Sequence, residues 1–295
     1  MIWCSIEDQM LSKHLYVSDM DGTLLASGGF LSPYTSQKLG HLMSRGINFT
    51  VASARSYTSV KSVFKDLELN VPVITHDGAV LYDIPNDRVL TSHGMDPHAA
   101  SQMYELIVKH GISPFIESIV AGEELFITKT LQSEGMKWLS DYRKGAGAKS
   151  IIGFESFLPI SKNVISFTLV DQAGPLLALQ SEIKALYSDK IKTHFYREWD
   201  CAHASCLTIH DAKAHKGQGL RDLMQHMDYD YKDITVFGDQ HNDLAMFMLA
   251  QRSVAVSNAV PELVALSTHQ IGHHNEDSVV NFILNENNHY LSATL

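Results

Sequence analysis

Short apolar runs and longer amphipathic stretches alternate along the N-terminal part of the chain. His14–Ser18, Ile47–Ala52 and Pro72–Thr75 have the composition of buried strands. The stretches between them have the apolar spacing of helices, and Ser32-Pro33 and Ser56 mark the expected helix starts. Apolar strands separated by helices predict a parallel, doubly wound α/β sheet, in which ligands bind beyond the carboxyl ends of the strands.

The middle of the chain has a different pattern. Asp96-Pro97 begins a helical stretch, and Asn163–Val170 alternates apolar and polar residues as a half-buried strand does. Strands that alternate in this way favour an antiparallel sheet. Beyond Cys206 the α/β pattern returns, with an apolar strand at Ile234–Phe237. We therefore expect a core formed by residues 1–82 and 206–295, interrupted by an α+β domain of residues 83–205.

Charge and cysteine content narrow the classes of function. Lys+Arg 23 against Asp+Glu 33 gives a formal net charge of −10, the wrong sign for a protein that mainly binds nucleic acid or an anionic membrane. The three cysteines show no CxxC spacing, so we expect a reducing, cytoplasmic environment and no disulfide framework. The first residues lack a signal-peptide pattern, and no run approaches the ~20 apolar residues of a membrane span.

Acidic residues follow two of the predicted strands. Asp19 and Asp21 lie in YVSDMDGT, and they share a face if the chain stays extended there. A second acidic loop, GDQHND, contains Asp239 and Asp243. Like charges ~4 Å apart repel by ~4 kcal/mol at an effective dielectric near 20, so convergence of these acids predicts a cation. Oxygen donors favour Mg²⁺ over zinc, although the first loop alone also suits an ordinary Asp-Gly turn.

Four motifs occur in a fixed order: DMDGT, VASAR at Val51–Arg55, Lys216 ahead of a helix, and GDQHND. In this order they resemble the haloacid dehalogenase (HAD) superfamily. The insert after the third strand resembles the Cof-type branch, subfamily IIB, with its C2-type α+β cap. The resemblance implies a Rossmann-like doubly wound parallel core with an inserted cap, and a Mg²⁺-dependent phosphoric monoester hydrolase that acts on a small phosphate ester.

The resemblance also implies roles for individual residues. Asp19 would be the nucleophile that forms an aspartyl-phosphate, and Asp21 would be the general acid and base. Ser53, Lys216 and Asn242 would bind the phosphoryl group. The residues implied at the metal are Asp19, Asp239, Asp21 through its backbone carbonyl, and Asp243 as a ligand or a neighbouring acid.

The sequence departs from the family pattern in several places. Ser53-Ala54-Arg55 stands where the family usually has Thr-Gly-Arg, and Asp77-Gly78 stands where it usually has Asn-Gly. Asp77 either alters substrate choice or only caps a turn, and Arg55 either faces the substrate or is a surface residue. In the insert, Arg197 within HFYREWD is the first candidate for a substrate contact, and a surface ion pair is an equally good interpretation.

The expected function is hydrolysis of a sugar phosphate or a phosphorylated cofactor. The same acids would serve a phosphosugar mutase, which transfers the phosphoryl group to another hydroxyl. A non-catalytic phospho-ligand binding protein is a third class. Such a protein would not need both a nucleophile and a proton donor, so the acids argue against it.

Overall fold

The computed structural model describes residues 13–187, 189–196 and 204–292. Within these ranges the chain forms two units, and each is described by itself. The core unit takes in residues 13–56, 63–91 and 215–292, and the insert unit takes in residues 57–62 and the described residues of 92–214.

The elements alternate in the way that the apolar pattern predicts. In chain order the strands are β1 Leu15–Ser18, β2 Asn48–Val51, β3 Val73–Thr75, β4 Val80–Asp83, β5 Arg88–Ser92, β6 Phe115–Val120, β7 Glu123–Thr128, β8 Lys149–Ile152, β9 Val164–Asp171, β10 Ile191–Tyr196, β11 Ser205–Asp211, β12 Ile234–Gly238, β13 Arg252–Ala255 and β14 His269–Gln270. The α-helices are α1 Pro33–Ser44, α2 Tyr57–Val63, α3 Pro97–Lys109, α4 Glu134–Gly145, α5 Ala173–Tyr187, α6 Lys216–Met227, α7 Leu244–Phe247, α8 Pro261–Leu266 and α9 Ser278–Ser292. Single 3-10 turns lie at His76–Gly78, Ser161–Asn163, Tyr231–Asp233, His241–Asp243 and His274–Glu276.

A five-stranded parallel sheet lies at the centre of the core unit, in the order β14-β13-β12-β1-β2. All four residues of β1 are buried, as expected of a strand covered on both faces. The strand β1 lies between β2, which follows it in the chain, and β12, which comes after the insert. The strand order therefore reverses at β1, which is a topological switch point. Ser18 lies opposite both Val51 and Phe237, so the residues that follow β1, β2 and β12 leave the sheet at one edge. The predicted doubly wound parallel core is confirmed.

The third predicted strand has a different role from the one expected. Val73–Thr75 begins a three-stranded sheet with β4 and β5 and pairs antiparallel with β4. One parallel bridge between Ala52 and Ile74 joins it to the end of β2, and the N–H of Ser53 donates to the carbonyl of Ile74 at 2.9 Å. Because β4 pairs with β3 and β5 pairs with β4, the core unit continues to Thr91.

The insert unit is built on a six-stranded sheet in the order β10-β11-β9-β6-β7-β8. The expected α+β insert is confirmed, and its sheet is antiparallel as expected except for the parallel pair of β7 with β8. Apolar residues of α3 and α5 share one cluster with the sheet, and Met136 and Leu139 of α4 share another with Phe115 and Phe126. The strand β11 pairs with β9 and β10 in this sheet, and the core unit resumes at His215.

Two helix starts agree with the sequence signals. Ser32 precedes α1, and its side chain accepts a hydrogen bond from the N–H of Thr35 at 2.9 Å. Asp96 caps α3 in the same way. The carboxylate of Asp277 accepts from the hydroxyls of Ser32 and Thr35 at 2.5 and 2.8 Å, which ties the start of α9 to the start of α1. None of the helices in the described ranges is long and apolar enough to cross a membrane.

Replacement of Gly78 by Ala is expected to destabilise the protein more than replacement of Gly46. Both glycines lie in the core unit at positive φ, +94° and +87°, so both substitutions strain the backbone by about 1–2 kcal/mol. A methyl group on Gly78 would also overlap the backbone carbonyl of His215, which adds about 1–3 kcal/mol. Among the described residues, nothing lies within 4 Å of a methyl group on Gly46. Urea denaturation should show the larger loss for G78A, and equal losses would contradict this packing.

Candidate active site

Asp19 and Asp21 lie in different surroundings at the end of β1. Strand pairing ends at Ser18, and the N–H of Asp19 donates to the carbonyl of Phe237 at 3.0 Å. The chain then turns at Gly22, where φ is +82°. The side chain of Asp19 is 9% exposed and that of Asp21 is 54% exposed. Strand pairing does not extend to Asp21, so the condition under which the two carboxylates would share a face is not met.

A buried lysine connects the two acidic loops. Lys216 is the first residue of α6, and its ammonium Nζ donates to Oδ1 of Asp19 at 2.5 Å and to Oδ1 of Asp243 at 2.6 Å. The side chains of Lys216 and Asp243 are completely buried. Burial alone would lower the pKa of Lys216, but the carboxylates of Asp19, Asp243 and Asp77 outweigh it and raise the pKa above its ordinary value. The lysine is therefore a fixed positive charge beside Asp19.

Three buried carboxylates converge around this lysine. One oxygen from each of Asp19, Asp239 and Asp243 lies within 4.8 Å of the others. Burial raises the pKa of Asp19 well above its ordinary value; Lys216 opposes the rise, and Asp243 and Asp239 add to it. Burial and Asp243 also raise the pKa of Asp239. A small divalent cation with oxygen ligands would relieve this repulsion, so the donor set fits Mg²⁺.

Asp239 and Asp243 have different hydrogen bonds within the second acidic loop. Oδ2 of Asp243 accepts from the N–H groups of Asp239 and Gln240 at 2.9 and 3.0 Å, while its Oδ1 faces Lys216. Asp239 accepts from the hydroxyl of Thr23 at 3.0 Å. Donors of the chain itself therefore occupy both oxygens of Asp243, which favours its interpretation as a neighbouring acid over a direct metal ligand.

Ser53, Asp77 and Asn242 connect the remaining loops of the site. Ser53 is buried, its Oγ accepts from the N–H of Arg55 at 3.1 Å, and its carbonyl accepts from the N–H of Asp77 at 3.0 Å. Asp77 is buried in the left-handed region at φ +54°, and its Oδ1 accepts from the side-chain amide of Asn242 at 2.9 Å. These contacts favour the interpretation of Asp77 as a residue that joins loops.

Arg55 lies beside Asp21. Its Nε and Nη2 donate to Oδ2 and Oδ1 of Asp21 at 2.7 and 2.6 Å. The side chain of Arg55 is 16% exposed, so it is not a solvated surface arginine. Arg197, the other arginine predicted to contact substrate, lies outside the described residues.

Sequence reasoning missed two side chains that hold the loops. Thr23 donates to Asp239, and Asn258 donates from Nδ2 to the carbonyl of Gly22 at 2.8 Å. Asn258 follows the end of β13, a neighbour of β12 in the parallel sheet. The same rule about strand ends that identified Asp19 and Asp239 would have identified Asn258.

Sequence comparisons relate the chain to known hydrolases. The family model described as haloacid dehalogenase-like hydrolase matches residues 16–283. The 5-amino-6-(5-phospho-D-ribitylamino)uracil phosphatase of Bacillus subtilis (strain 168) is 26% identical over 285 residues, which cover 90% of this chain and 95% of that protein.

Solved structures share the fold over most of the chain. A haloacid dehalogenase-like hydrolase from Bacteroides thetaiotaomicron has a TM-score of 0.77 at 19% identity and covers 92% of this chain and 98% of its own. A sugar phosphatase of HAD subclass IIB has a TM-score of 0.70 at 18% identity, with coverage of 92% and 98%. At these identities, the structural matches establish a common fold.

Two replacements of Asp77 are expected to distinguish the contribution of its hydrogen bond to stability from the contribution of its charge. Asp77→Asn keeps an acceptor for Asn242 and tolerates positive φ, so its free energy of unfolding should change little. Asp77→Ala leaves the Asn242 amide without that acceptor and should cost about 1–3 kcal/mol. Urea denaturation of both variants tests this difference, and equal stability of D77A and D77N would contradict the joining role.

Proposed function

Because this chain belongs to the haloacid dehalogenase-like hydrolase family and is one of its phosphatases, we propose that it is Mg²⁺-dependent and hydrolyses a small phosphorylated metabolite through an aspartyl-phosphate on Asp19. The observation that carries the proposal is the contact of Lys216 with Asp19 and Asp243 in the buried cluster that Asp239 completes. A carboxylate that attacks a phosphate ester needs positive charge beside it, because both reactants are anionic. Lys216 supplies a permanent part of that charge.

The proposed reaction has two steps that use the same two acids. A carboxylate oxygen of Asp19 attacks phosphorus, the bond from phosphorus to the ester oxygen breaks, and Asp21 gives that oxygen a proton. Asp21 is then a carboxylate and takes a proton from water as the water oxygen attacks the aspartyl-phosphate. The second step releases inorganic phosphate, restores Asp19 as a carboxylate and returns the proton to Asp21.

The residues that would hold Mg²⁺ are Asp19, Asp239 and the backbone carbonyl of Asp21, with Asp243 beside them. When bound, Mg²⁺ would supply positive charge next to the phosphoryl oxygens. Lys216 lies against Asp19 and Asp243, so the ammonium group and the metal would neutralise different parts of the acidic cluster. Ser53 and Asn242 lie in loops joined through Asp77, and we propose that they contact the phosphoryl group.

The relatives support a polyhydroxylated substrate. The Bacillus subtilis protein is named for a phosphate ester of a ribitylamino-uracil, and the subclass IIB structure is named as a sugar phosphatase. Both names describe a phosphate carried by a chain or ring with several hydroxyl groups. We therefore propose a sugar phosphate or a phosphorylated cofactor as the substrate of this chain.

Replacement of Asp19 by Asn is expected to reduce phosphate release by at least ~10³-fold, because the amide cannot form the acyl phosphate. The measurement is inorganic phosphate released with Mg²⁺ from sugar phosphates, nucleotides and pyridoxal phosphate. Asp66→Asn is the matched control, since Asp66 is an exposed acid of the same unit. Unchanged turnover in D19N would contradict the proposal. An isomeric sugar phosphate formed by the wild type without free phosphate would instead indicate phosphoryl transfer between hydroxyls.

Addition of Mg²⁺ is expected to raise the melting temperature of the wild-type protein but not that of Asp239→Asn. A ligand present at 100 times its Kd stabilises the folded state by ~2.7 kcal/mol, which corresponds to a shift of several degrees. Asp66→Asn should retain the wild-type shift. Thermal unfolding with and without Mg²⁺ measures the effect, and an equal shift in wild type and D239N would exclude Asp239 as a ligand.

A further inference from the structure

We propose that Arg55 is a positioning residue that sets the orientation of the Asp21 carboxylate for proton transfer. The inference rests on the proposed function, since it takes Asp21 as the proton donor and acceptor. It differs from the two interpretations that the sequence leaves open, in which Arg55 either contacts the substrate or lies in solvent. Three observations in the core unit support it.

The first observation is the geometry of the pair itself. Nε and Nη2 of Arg55 meet the two carboxylate oxygens of Asp21 at 2.7 and 2.6 Å. A planar guanidinium that meets a carboxylate with two parallel hydrogen bonds fixes the plane of the carboxylate as well as its position. A single contact, or a lysine, would leave the Asp21 side chain free to rotate.

The second observation is the anchoring of the Arg55 backbone. Its N–H donates to the Ser53 hydroxyl at 3.1 Å, and its carbonyl accepts from the N–H of His76 at 2.9 Å. Ser53 and His76 follow β2 and β3, so the arginine starts from a rigid point between two strand ends. Because its backbone is anchored and its guanidinium makes two hydrogen bonds, the Arg55 side chain loses little further conformational entropy when it orients Asp21.

The third observation is a tight turn that lies against the guanidinium of Arg55. The N–H of Ala26 donates to the carbonyl of Phe30 at 3.0 Å, which closes a turn containing Gly28 and Gly29. Gly29 has a φ of +78°, and a methyl group on it would lie 2.7 Å from Nη2 of Arg55. The absence of a side chain at Gly29 therefore leaves room for the guanidinium.

The turn is itself held in place from the C-terminal side of the core unit. The side chain of Asn275 accepts from the N–H of Ser27 at 2.8 Å and donates to its hydroxyl at 2.9 Å. Nδ1 of His274 lies 2.8 Å from the carbonyl of Leu25. Arg55 is thus held by residues at two strand ends and lies against this turn, while the Asp21 side chain remains 54% exposed.

The arrangement has a specific consequence for catalysis. Each oxygen of Asp21 accepts one hydrogen bond from Arg55 and keeps a second lone pair, which can carry the proton to the leaving group. The two contacts with Arg55 therefore hold the carboxyl group in its working orientation during the transfer. Loss of the arginine should therefore impair proton transfer and leave phosphoryl attack by Asp19 largely intact.

Leaving-group dependence tests this role. In Arg55→Gln, kcat/KM for an alkyl phosphate, such as a sugar phosphate that the wild type hydrolyses, should fall by ~10–100-fold. For p-nitrophenyl phosphate it should fall by less than ~3-fold, because nitrophenolate leaves without a proton.

The kcat/KM of Arg55→Lys for the alkyl phosphate should be closer to that of R55Q than to that of the wild type, since lysine lacks the planar fork. In the double variant R55Q/D21N, kcat/KM should equal that of D21N, because Arg55 acts through Asp21.

The outcomes separate this inference from the proposed function. If D21N itself shows no selective loss on the alkyl ester, the proton-transfer role of Asp21 is wrong. If D21N shows that loss but R55Q lowers both esters equally, Arg55 binds the phosphoryl group and the inference is wrong. An unchanged R55Q enzyme would also overturn it. Arg88→Gln is the control, since Arg88 pairs with Asp83 at 3.2 Å in the same unit and should leave both esters unaffected.

A second pair of variants tests the same role without removing the arginine. Gly29→Ala would displace the guanidinium and should reproduce the selective loss on the alkyl ester. Gly28→Ala lies in the same turn at φ +101°, and its methyl group would meet only the ring of Phe30 at 3.2 Å among the described residues. Equal effects of G28A and G29A on the two esters would show that distortion of the turn, and not displacement of Arg55, is responsible.

Discussion

The buried contact of Lys216 with Asp19 and Asp243 is the interaction on which the rest of the core unit depends. Two carboxylates and one ammonium group have left water, and each is costly to bury alone. Removal of one partner from a buried ion pair typically costs ~3–5 kcal/mol because the other charge is left uncompensated. The cluster still carries an excess of negative charge, since Asp239 lies within it. The fold therefore maintains a site that attracts cations, at some cost to its own stability.

The parallel sheet makes this arrangement possible. The register that sets Ser18 opposite Val51 and Phe237 brings the ends of three strands to one edge. Lys216 reaches that edge from the start of a helix, and Gly78 allows the backbone before the helix to approach closely. The polar residues can occupy loops because the apolar strands and helices beneath them supply the stability.

Local patterns in the sequence predicted the parts of the fold that local chemistry determines. The apolar runs at β1, β2 and β12 and the capped starts of α1 and α3 are of this kind, because strand burial and helix capping involve neighbouring residues. The pairing of β11 within the insert sheet could not be predicted in this way. The residue pattern of an apolar strand such as β11 is the same whether the strand extends a parallel or an antiparallel sheet.

Contacts between distant residues explain why only part of the site could be predicted. The four ordered motifs marked Asp19, Ser53, Lys216 and Asp239 as candidates. In the structure Lys216 contacts Asp19, and Asp19 lies close to Asp239. The pairs of Arg55 with Asp21 and of Asn242 with Asp77 join residues 34 and 165 positions apart. Neither the periodicity nor the residue spacing of the sequence indicates such pairs, because they depend on how the loops turn after the strands end. Their roles in catalysis remain proposals.

The distance along the chain between Asp19 and Lys216, 197 positions, has a consequence for biosynthesis. The strand β12 and the lysine emerge from the ribosome only after the whole insert has been made. Until then, Asp19 lies at the end of a strand without one of its two neighbours and without its counter-charge. Interactions between such distant segments form slowly because the intervening chain must first be ordered. The insert unit is continuous apart from one short segment, so it can become ordered during synthesis, and the catalytic centre would be among the last parts of the protein to assemble.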